Sequence, residues 1–420
     1  MSASTLYGLT YTVEVALSAA TGSYGIWDAG LWDTATWGPD ITWVDVSQWV
    51  RSIGIERRFD RTARTWDQGA ATVELVDADG RFSPVNLAGP YVTGGITQIR
   101  PWRDARVTFT WAGVTYPAYR GYVVDWREAW IQSSPNAGMA VTTMQCADEM
   151  ASLARFGGVA LPEAGGSETT GRRVHRILDN AGHTGPRDVD DGRMTCQPTT
   201  LEKNAAEELK LTADSEGGVI WVDRSGTVVF DNIYALIENS RSNTVQATFG
   251  DGGGEQPYND VTSEYNGDLI VNIAAFARAG GEVQTVVDAT SRALYKDKRD
   301  PRTDLVTEVD TQVNTIATLW VQRFKDPEYR LTSVRVLPRF KPAQLFPVIL
   351  NREVRDLVRV KKRPPGGFTI SQDVFISGIS HTMTADDFVS VFDLSGGAPF
   401  TGYTTDRFDV AKWDASIWFY

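Results

Sequence analysis

The stretch Ala71-Thr72-Val73-Glu74-Leu75-Val76 places apolar side chains at every second position, and the run Asp77-Ala78-Asp79-Gly80 follows it directly. A period of two is typical of a β-strand that buries one face. Asp and Gly are residues that favour turns. The sequence therefore predicts a strand and a turn here, and this alternating pattern is the main signal of a mainly β fold.

The same alternation occurs on both sides of that stretch, at 11–17, 106–111 and 115–125. Ala112-Gly113 lies between the last two segments, which is typical of a β-hairpin. These segments predict a first antiparallel β domain over 41–140. The strand at 11–17 belongs to the preceding region, 1–40, together with the first aromatic Trp-Asp segment.

Helical patterns begin after residue 140. A short helix is predicted over 147–155, and a second over 170–181 ends at Gly182, which suits a left-handed terminus. The run Thr199-Thr200-Leu201-Glu202 fits a capping box, in which a Thr hydroxyl and a Glu carboxylate accept from backbone N–H groups. It predicts the start of a third helix.

A tight hairpin is predicted next, because two apolar runs, 219–222 and 227–230, flank Asp223-Arg224-Ser225-Gly226. Together with the helices it predicts a small α+β domain over 141–250. The run Gly250-Asp251-Gly252-Gly253-Gly254 predicts a linker or loop.

Strands return in the last third of the chain. They are predicted at 269–273, 283–287, 331–337, 354–360, 374–379 and 389–394. One long helix over 310–325 presents Val313, Ile316 and Trp320 on one side, and Pro327 ends it. This region, 251–395, is predicted to be a second β domain that carries one long helix.

Composition excludes several classes of protein. The chain has 420 residues with a net charge of −12 at neutral pH, which allows two to four domains and argues against a dedicated duplex-DNA binder. No apolar run is long enough to span a membrane, and the first residues lack a secretory signal pattern. Metal or histidine chemistry is disfavoured, because the chain has 3 histidines.

Cysteine and tryptophan differ in what they indicate. Cys146 and Cys196 form no CxxC pair and are predicted to be buried, unreactive thiols. Tryptophan is unusually abundant, with 14 residues. Aromatic side chains favour interfaces, so the count points to a binding surface or a component of an assembly.

An internal repeat occurs near the two termini, at 27–37 and 408–418. Both copies follow the pattern aromatic-Asp-x-x-x-Trp-Asp-x-x-x-Trp, which matches neither a helical nor a strand period. The copies either pack on the protein's own surface or dock on neighbouring subunits, as Trp anchors commonly do. The candidate interface residues are Trp27, Asp28, Trp32, Asp33, Trp37, Phe408, Asp409, Trp413, Asp414 and Trp418.

Catalytic motifs are not recognisable in the sequence: it has no G-x-S-x-G, Walker A, G-x-G-x-x-G or H-E-x-x-H pattern. The run 77–80 resembles the opening of a calcium loop but lacks its distal Glu, so a hairpin turn is the simpler interpretation. Asp188, Asp190 and Asp191 suit a solvated acidic loop better than a cation site. A pair of carboxylates that acts on a glycan stays open, since any two could meet in space.

Two clusters of basic residues are interpreted as solvated faces or as ion pairs between subunits. The first contains Arg51, Arg57, Arg58, Arg61 and Arg64. The second contains Arg352, Arg355, Arg359, Lys361, Lys362 and Arg363.

Three segments, taken in order, carry a resemblance to a known family. They are the β opening at 43–53 with 69–84, the helix and hairpin that end in 217–230, and the closing strands 374–381 and 389–394. In this order they resemble minor tail proteins of long-tailed phages that infect actinobacteria. The resemblance covers 41–395, and the order of the segments carries it, since no single motif is diagnostic.

The resemblance implies two β-barrel-like hub domains with an inserted α+β domain, assembled as a homotrimeric ring at the tip of the tail tube. It implies contacts with the distal tail protein ring, the tape-measure protein and other tail-tip proteins, with phage DNA present only in transit. The expected location is the virion tail tip, after assembly in the host cytoplasm. No catalytic residue, cofactor or metal is expected, and 396–420 would be an aromatic terminal segment.

A second hypothesis comes from the Trp and Asp content alone. In it the chain is a tail protein that binds or degrades cell-wall carbohydrate, with Trp faces stacked on sugar rings and a carboxylate pair acting on the glycan.

Overall fold

The computed structural model describes residues 6–17, 42–60, 65–134, 137–155 and 166–396. Its architecture is mainly β, as predicted, and the largest sheet contains 14 strands. Both copies of the Trp-Asp repeat, with all ten candidate interface residues, lie outside the described residues. Within the part of the chain that is described, helices are all too short or too polar to cross a membrane.

The first β unit is built from ten strands: β1 (Leu9–Val15), β2 (Val44–Asp45), β3 (Val50–Asp60), β4 (Thr65–Trp66), β5 (Ala70–Asp77), β6 (Val92–Thr93), β7 (Ile96–Thr97), β8 (Arg103–Trp111), β9 (Val114–Ser134) and β10 (Ala137–Ala147). Six of them lie in the order β3-β5-β10-β9-β8-β1. The hairpin between β8 and β9 is confirmed, with Ala112 and Gly113 at φ 49° and 82°. The turn at 77–80 forms, but it opens a loop toward β8, because β5 pairs with β3 and β10 instead of the next strand.

The α+β unit follows, with α1 (Glu149–Arg155), β11 (Glu168–Thr169), α2 (Thr170–Asn180), β12 (Arg187–Val189), β13 (Thr195–Cys196), α3 (Ala205–Glu216), β14 (Val219–Val222), β15 (Val228–Asp231), α4 (Ala235–Glu238) and α5 (Ser240–Asn243). Leu178, Leu209 and Phe230 lie in its separate core. The sheet order is β12-β15-β14, and the predicted hairpin forms between β14 and β15.

The predicted capping box is wrong. Helix α3 begins after Asn204, whose side chain accepts from the backbone N–H of Glu207 at 2.9 Å. Leu201 has φ 50°, a left-handed conformation that a helix start at Thr199 cannot contain. The carboxylate of Glu202 instead accepts from the Thr200 hydroxyl.

The remaining elements are β16 (Ala247–Phe249), β17 (Asp260–Tyr265), β18 (Ile273–Arg278), β19 (Gln284–Val287), α6 (Ala289–Tyr295), β20 (Arg299–Leu305), α7 (Asp310–Phe324), β21 (Tyr329–Val336), α8 (Pro342–Leu350), β22 (Leu357–Lys362), β23 (Ile370–Met383) and β24 (Phe388–Gly396). The predicted long helix is α7. It packs on a small sheet of its own, β19-β18-β20, around Phe276, Ile316 and Val321. The predicted strand 269–273 begins only at Ile273. The domain limits stay predictions.

The second β unit is the set β16, β17 and β21–β24, and it joins the first through strand β23. The beginning of β23 pairs with β22, and its end, Gly378 to Met383, pairs with β3 at Ile53 to Arg58. The two β units therefore form one continuous sheet over one core. Phe109 of the first unit and Phe388 of the second contact each other there, with ring centroids 5.3 Å apart.

Candidate functional site

The β14–β15 hairpin carries an arginine into the junction between the units. The Asp223 carboxylate accepts from the backbone N–H groups of Ser225 and Thr227, at 2.7 and 2.8 Å, which fixes the tight turn. The Arg224 guanidinium then donates to the carbonyl of Leu350, at the end of α8, at 2.7 Å. The turn predicted from sequence is thus also a docking element.

Glu353 receives an arginine from each neighbouring unit. Arg57 on β3 lies 2.6 Å from one carboxylate oxygen, and Arg224 lies 3.6 Å from the other. The Arg57 side chain is 7% exposed and that of Glu353 is 13% exposed, so water screens this pair only weakly. One carboxylate therefore ties the first β unit and the α+β unit to the second β unit.

A second set of buried charges lies beside the first. Asp356 is fully buried and accepts from Arg241 through two contacts of 2.6 Å, while Arg352 lies at 3.3 Å. Burial raises the pKa of the Asp356 carboxyl, and Arg241 opposes that change. Arg355 completes the set by pairing with Asp231 on β15, at 2.9 Å. All these charges are paired within one chain.

The interpretation of the basic clusters as solvated or intersubunit is therefore wrong for Arg57, Arg352 and Arg355. Folding brings acidic partners from distant positions, which local sequence does not reveal. Arg51 and Arg58 are exposed, whereas Arg61 and Arg64 lie outside the described residues.

The glycine-rich loop is held by the end of the same basic cluster. Arg363 contacts Asp251 at 2.8 Å and Glu255 at 2.7 Å, and Lys362 lies 3.2 Å from Asp251. A backbone hydrogen bond from Arg363, with its guanidinium and Lys362, lowers the pKa of Asp251 to about 2. The predicted linker is thus a loop fixed by charge.

Two buried titratable groups lie at the ends of strands in the junction. Asp148 accepts from the backbone N–H groups of Gly69 and Met150, at 2.5 and 3.0 Å, and burial raises the pKa of its carboxyl to about 7. His381 on β23 contacts the Ser390 hydroxyl at 2.9 Å. Burial, with the charges of Arg57 and Arg224, lowers the pKa of His381 to about 3.

A polar cleft lies where the first β unit meets the α+β unit. Tyr122 donates to the Glu149 carboxylate at 2.7 Å, and the other oxygen of that carboxylate is 3.2 Å from Nδ1 of His183. Asp104 also lines the cleft, and burial raises the pKa of its carboxyl. Two carboxylates in one cleft are the minimum that glycan hydrolysis requires.

Neither acidic run, 77–80 or 188–191, has the geometry of a cation site in the described ranges. The Asp77 carboxylate accepts from the backbone of Phe82 at 3.2 Å and from the Thr142 hydroxyl at 3.3 Å, so it stabilises the turn. Asp190 accepts from the backbone of Asn232 at 2.9 Å. Across those ranges no three acidic, His or Cys side chains form a possible metal site. Cys146 and Cys196 are buried, as predicted.

An apolar cavity of about 220 Å³ lies where all the units meet. Its walls come from β3, α4, the segment before β18, α7, β23 and β24. The apolar lining includes Phe59, Leu236, Leu269, Ile270, Trp320 and Phe324. Sequence reasoning missed this cavity and the Glu353 pairs, since both depend on residues far apart in the chain. The Asp223–Gly226 turn was the one local signal.

Comparison with known proteins identifies the fold of this chain. No protein-family model and no curated protein matches the sequence. The structure is similar to the 43 kDa tail protein of prophage MuSo2 from Shewanella oneidensis, with 14% identity, a TM-score of 0.55, and 85% of this chain and 96% of that one covered. It is also similar to a tail protein from Neisseria meningitidis MC58, with 12% identity, a TM-score of 0.56, and coverage of 93% and 97%. At such identities the likeness establishes that this chain shares the fold of these two tail proteins.

Proposed function

We propose that this chain is a structural component of a phage tail, the hub of the tail tip, and that it acts as a homotrimeric ring without catalysing a reaction. The similarity of fold to two tail proteins, over 85% and 93% of the chain, carries the proposal. The sequence resemblance narrows it to the minor tail proteins of long-tailed actinobacteriophages.

The open edge of the large sheet supports assembly. Among the described residues β17 has a neighbour on one side only, and its side chains are mostly exposed on both faces. An unpaired strand edge is a template for another chain unless it is covered. Large apolar side chains are also exposed elsewhere, including Trp130 at 70% and Phe340 at 64%. A ring of copies would cover such surfaces.

The proposed partners follow from the same role. The terminal Trp-Asp segments would join the ring to the distal tail protein, the tape-measure protein or other tail-tip proteins. A net charge of −12 would keep DNA from adhering to the channel in transit. The proposed location is the tail tip of the virion, after assembly in the host cytoplasm.

Light scattering of the purified full chain across a range of concentrations tests the ring. A mass of three times 46.3 kDa, with three-fold rings in electron micrographs, is expected. A monomer at all concentrations, including the highest that stays soluble, contradicts the trimer. Replacing Trp27, Trp32 and Trp37 of the N-terminal copy by Ala should leave the trimer intact and weaken its binding to isolated tail tubes.

One observation supports the glycan hypothesis: the cleft that contains Asp104 and Glu149. Reducing-sugar release from purified cell wall and retention on that wall test it. A signal that disappears in Glu149→Gln, together with a monomeric mass, favours that function over the hub. No signal in either assay leaves the structural role.

A further inference from the structure

We propose that the apolar cavity at the junction binds an indole side chain of this chain's own C-terminal Trp-Asp segment, 408–418. Docking of this kind would fix where that segment leaves the body of the protein. The inference does not depend on the trimer or on a place in a phage tail.

The size and lining of the cavity suit an aromatic side chain. A cavity of 150 Å³ surrounded by apolar side chains holds a benzene ring, so about 220 Å³ has room for the larger indole. Trp320 and Phe324 form one wall, with ring centroids 4.7 Å apart. Aromatic neighbours of this kind favour offset or edge contacts with a further ring.

One polar atom in the cavity matches the indole N–H. Ser377 is 5% exposed, and within the described residues its hydroxyl has no hydrogen-bond partner. A buried hydroxyl without a partner is costly. An indole brings one N–H donor, which usually finds an acceptor when the ring is buried. A bound Trp would satisfy both requirements at once.

The C-terminal segment begins beside the cavity. Gly396, the last described residue of β24, lines the cavity, and its carbonyl accepts from Arg323 at 3.3 Å. Trp413 and Trp418 follow 17 and 22 residues later. At roughly 3.3 Å per residue the chain can fold back from Gly396 with length to spare. A tether this short gives an effective concentration on the order of millimolar, which favours the chain's own segment over another copy.

The charges near the opening are compatible with this occupant. Three arginines and two carboxylates line the cavity, at Arg323, Arg330, Arg355, Asp326 and Glu328. The segment 397–420 carries three Asp residues, one Lys and one Arg. Arg355 is paired with Asp231 and Arg330 with Glu264, so neither sign of charge is in large excess at the opening and the segment is not strongly repelled.

Hydrogen exchange of the full-length protein is the first test. In the double variant Trp413→Ala/Trp418→Ala we expect the backbone at 266–271 and 319–325 to exchange about tenfold faster, or about 1.4 kcal/mol. The matched control Trp27→Ala/Trp32→Ala changes the other copy of the repeat and should leave these segments unchanged. No change in the first variant, or an equal change in both, overturns the proposal. A change that depends on protein concentration assigns the cavity to a second copy and also overturns it.

The sign of the Ser377→Ala effect is a second, independent test. If the cavity is empty, removal of an unpartnered hydroxyl leaves the melting temperature unchanged or raises it. If an indole donates to this hydroxyl, the melting temperature falls, and the fall disappears in a Trp413→Phe/Trp418→Phe background, where the ring stays but the N–H is lost. A loss that persists in that background contradicts the proposed contact. The hub proposal is tested by mass and by binding to tail tubes, so its failure would be seen separately from these exchange and melting measurements.

Discussion

The two β units and the α+β unit are joined in different ways. Strands β3 and β23 pair through their backbones, and Phe109 and Phe388 meet in the core beneath them. The α+β unit adds charged contacts to a smaller apolar one: Trp221 and Val229 of its hairpin reach the main core, and Arg224 reaches Glu353. Apolar burial needs no exact partner, whereas a buried charge without its partner is strongly unfavourable. The first junction should therefore govern global stability, and the second should govern how the α+β unit is held.

The largest effect is expected from Phe388→Ala, because Phe388 is fully buried and packs on rings from both sides of the sheet junction. Truncation of a buried Phe leaves a cavity and should lower the free energy of unfolding by about 4 kcal/mol. Chemical denaturation measures it. The control Phe340→Ala, at a side chain that is 64% exposed, should change stability by less than about 0.5 kcal/mol. Equal losses in the two variants would refute the assignment of the core.

The difference between local patterns and contacts between distant residues explains what the sequence could predict. The period-two pattern of 71–76 and the turn at 223–226 are local, and the mainly β fold and the hairpin follow from them. The partners of Arg57 and Arg224 lie at Glu353, far along the chain, so no local pattern indicates them. The cavity was missed for the same reason. The capping box failed because the left-handed backbone at Leu201, set by its surroundings, overrides a matching motif.

A smaller effect is expected from Glu353→Gln, which removes the charge between the units and keeps the shape of the side chain. Arg57 and Arg224 would keep their burial without a counterion, at a cost of about 3 kcal/mol. Hydrogen exchange should become faster at the 223–226 turn, while the β3–β23 pairing stays protected. The exposed pair of Glu56 with Arg58 supplies the control, since Glu56→Gln should cost less than about 0.5 kcal/mol. Equal loss of protection in β3–β23 would show that the two junctions are not separable.

Acid should weaken the sheet junction through His381. Its pKa is about 3 in the folded protein and about 6.5 in the unfolded chain, so the unfolded chain binds more protons between these values. The stability that His381 contributes is therefore fully present above pH 6.5 and is lost as the pH falls; about 2 kcal/mol of it is lost at pH 5. Asp148 acts in the opposite direction, because its raised pKa of about 7 makes the folded state gain stability as the pH falls from 7 toward 4. The difference in the pH dependence of stability between the native chain and the His381→Gln variant isolates the contribution of this histidine.

Denaturation curves at pH 7 and pH 5 supply that difference. The native chain should lose about 2 kcal/mol more than His381→Gln between the two pH values. The exposed His175 is the matched control, and His175→Gln should follow the native curve. Parallel curves for the native chain and His381→Gln would show that His381 is not held neutral by the junction.

The smallest expected effect lies inside the α+β unit, at the start of α3. Asn204→Ala removes the side-chain acceptor for the N–H of Glu207 and should lower the free energy of unfolding by about 1 kcal/mol. Glu202→Ala should have almost no effect, because its carboxylate contacts the exposed Thr200 hydroxyl instead of the helix start. A larger loss of stability in Glu202→Ala than in Asn204→Ala would instead support a capping box at Thr199–Glu202. Because α3 packs in a core of its own, faster hydrogen exchange should stay within 205–216 and the strands beside it, and spread into β3–β23 would mean that charge pairs couple the units as tightly as the shared sheet does.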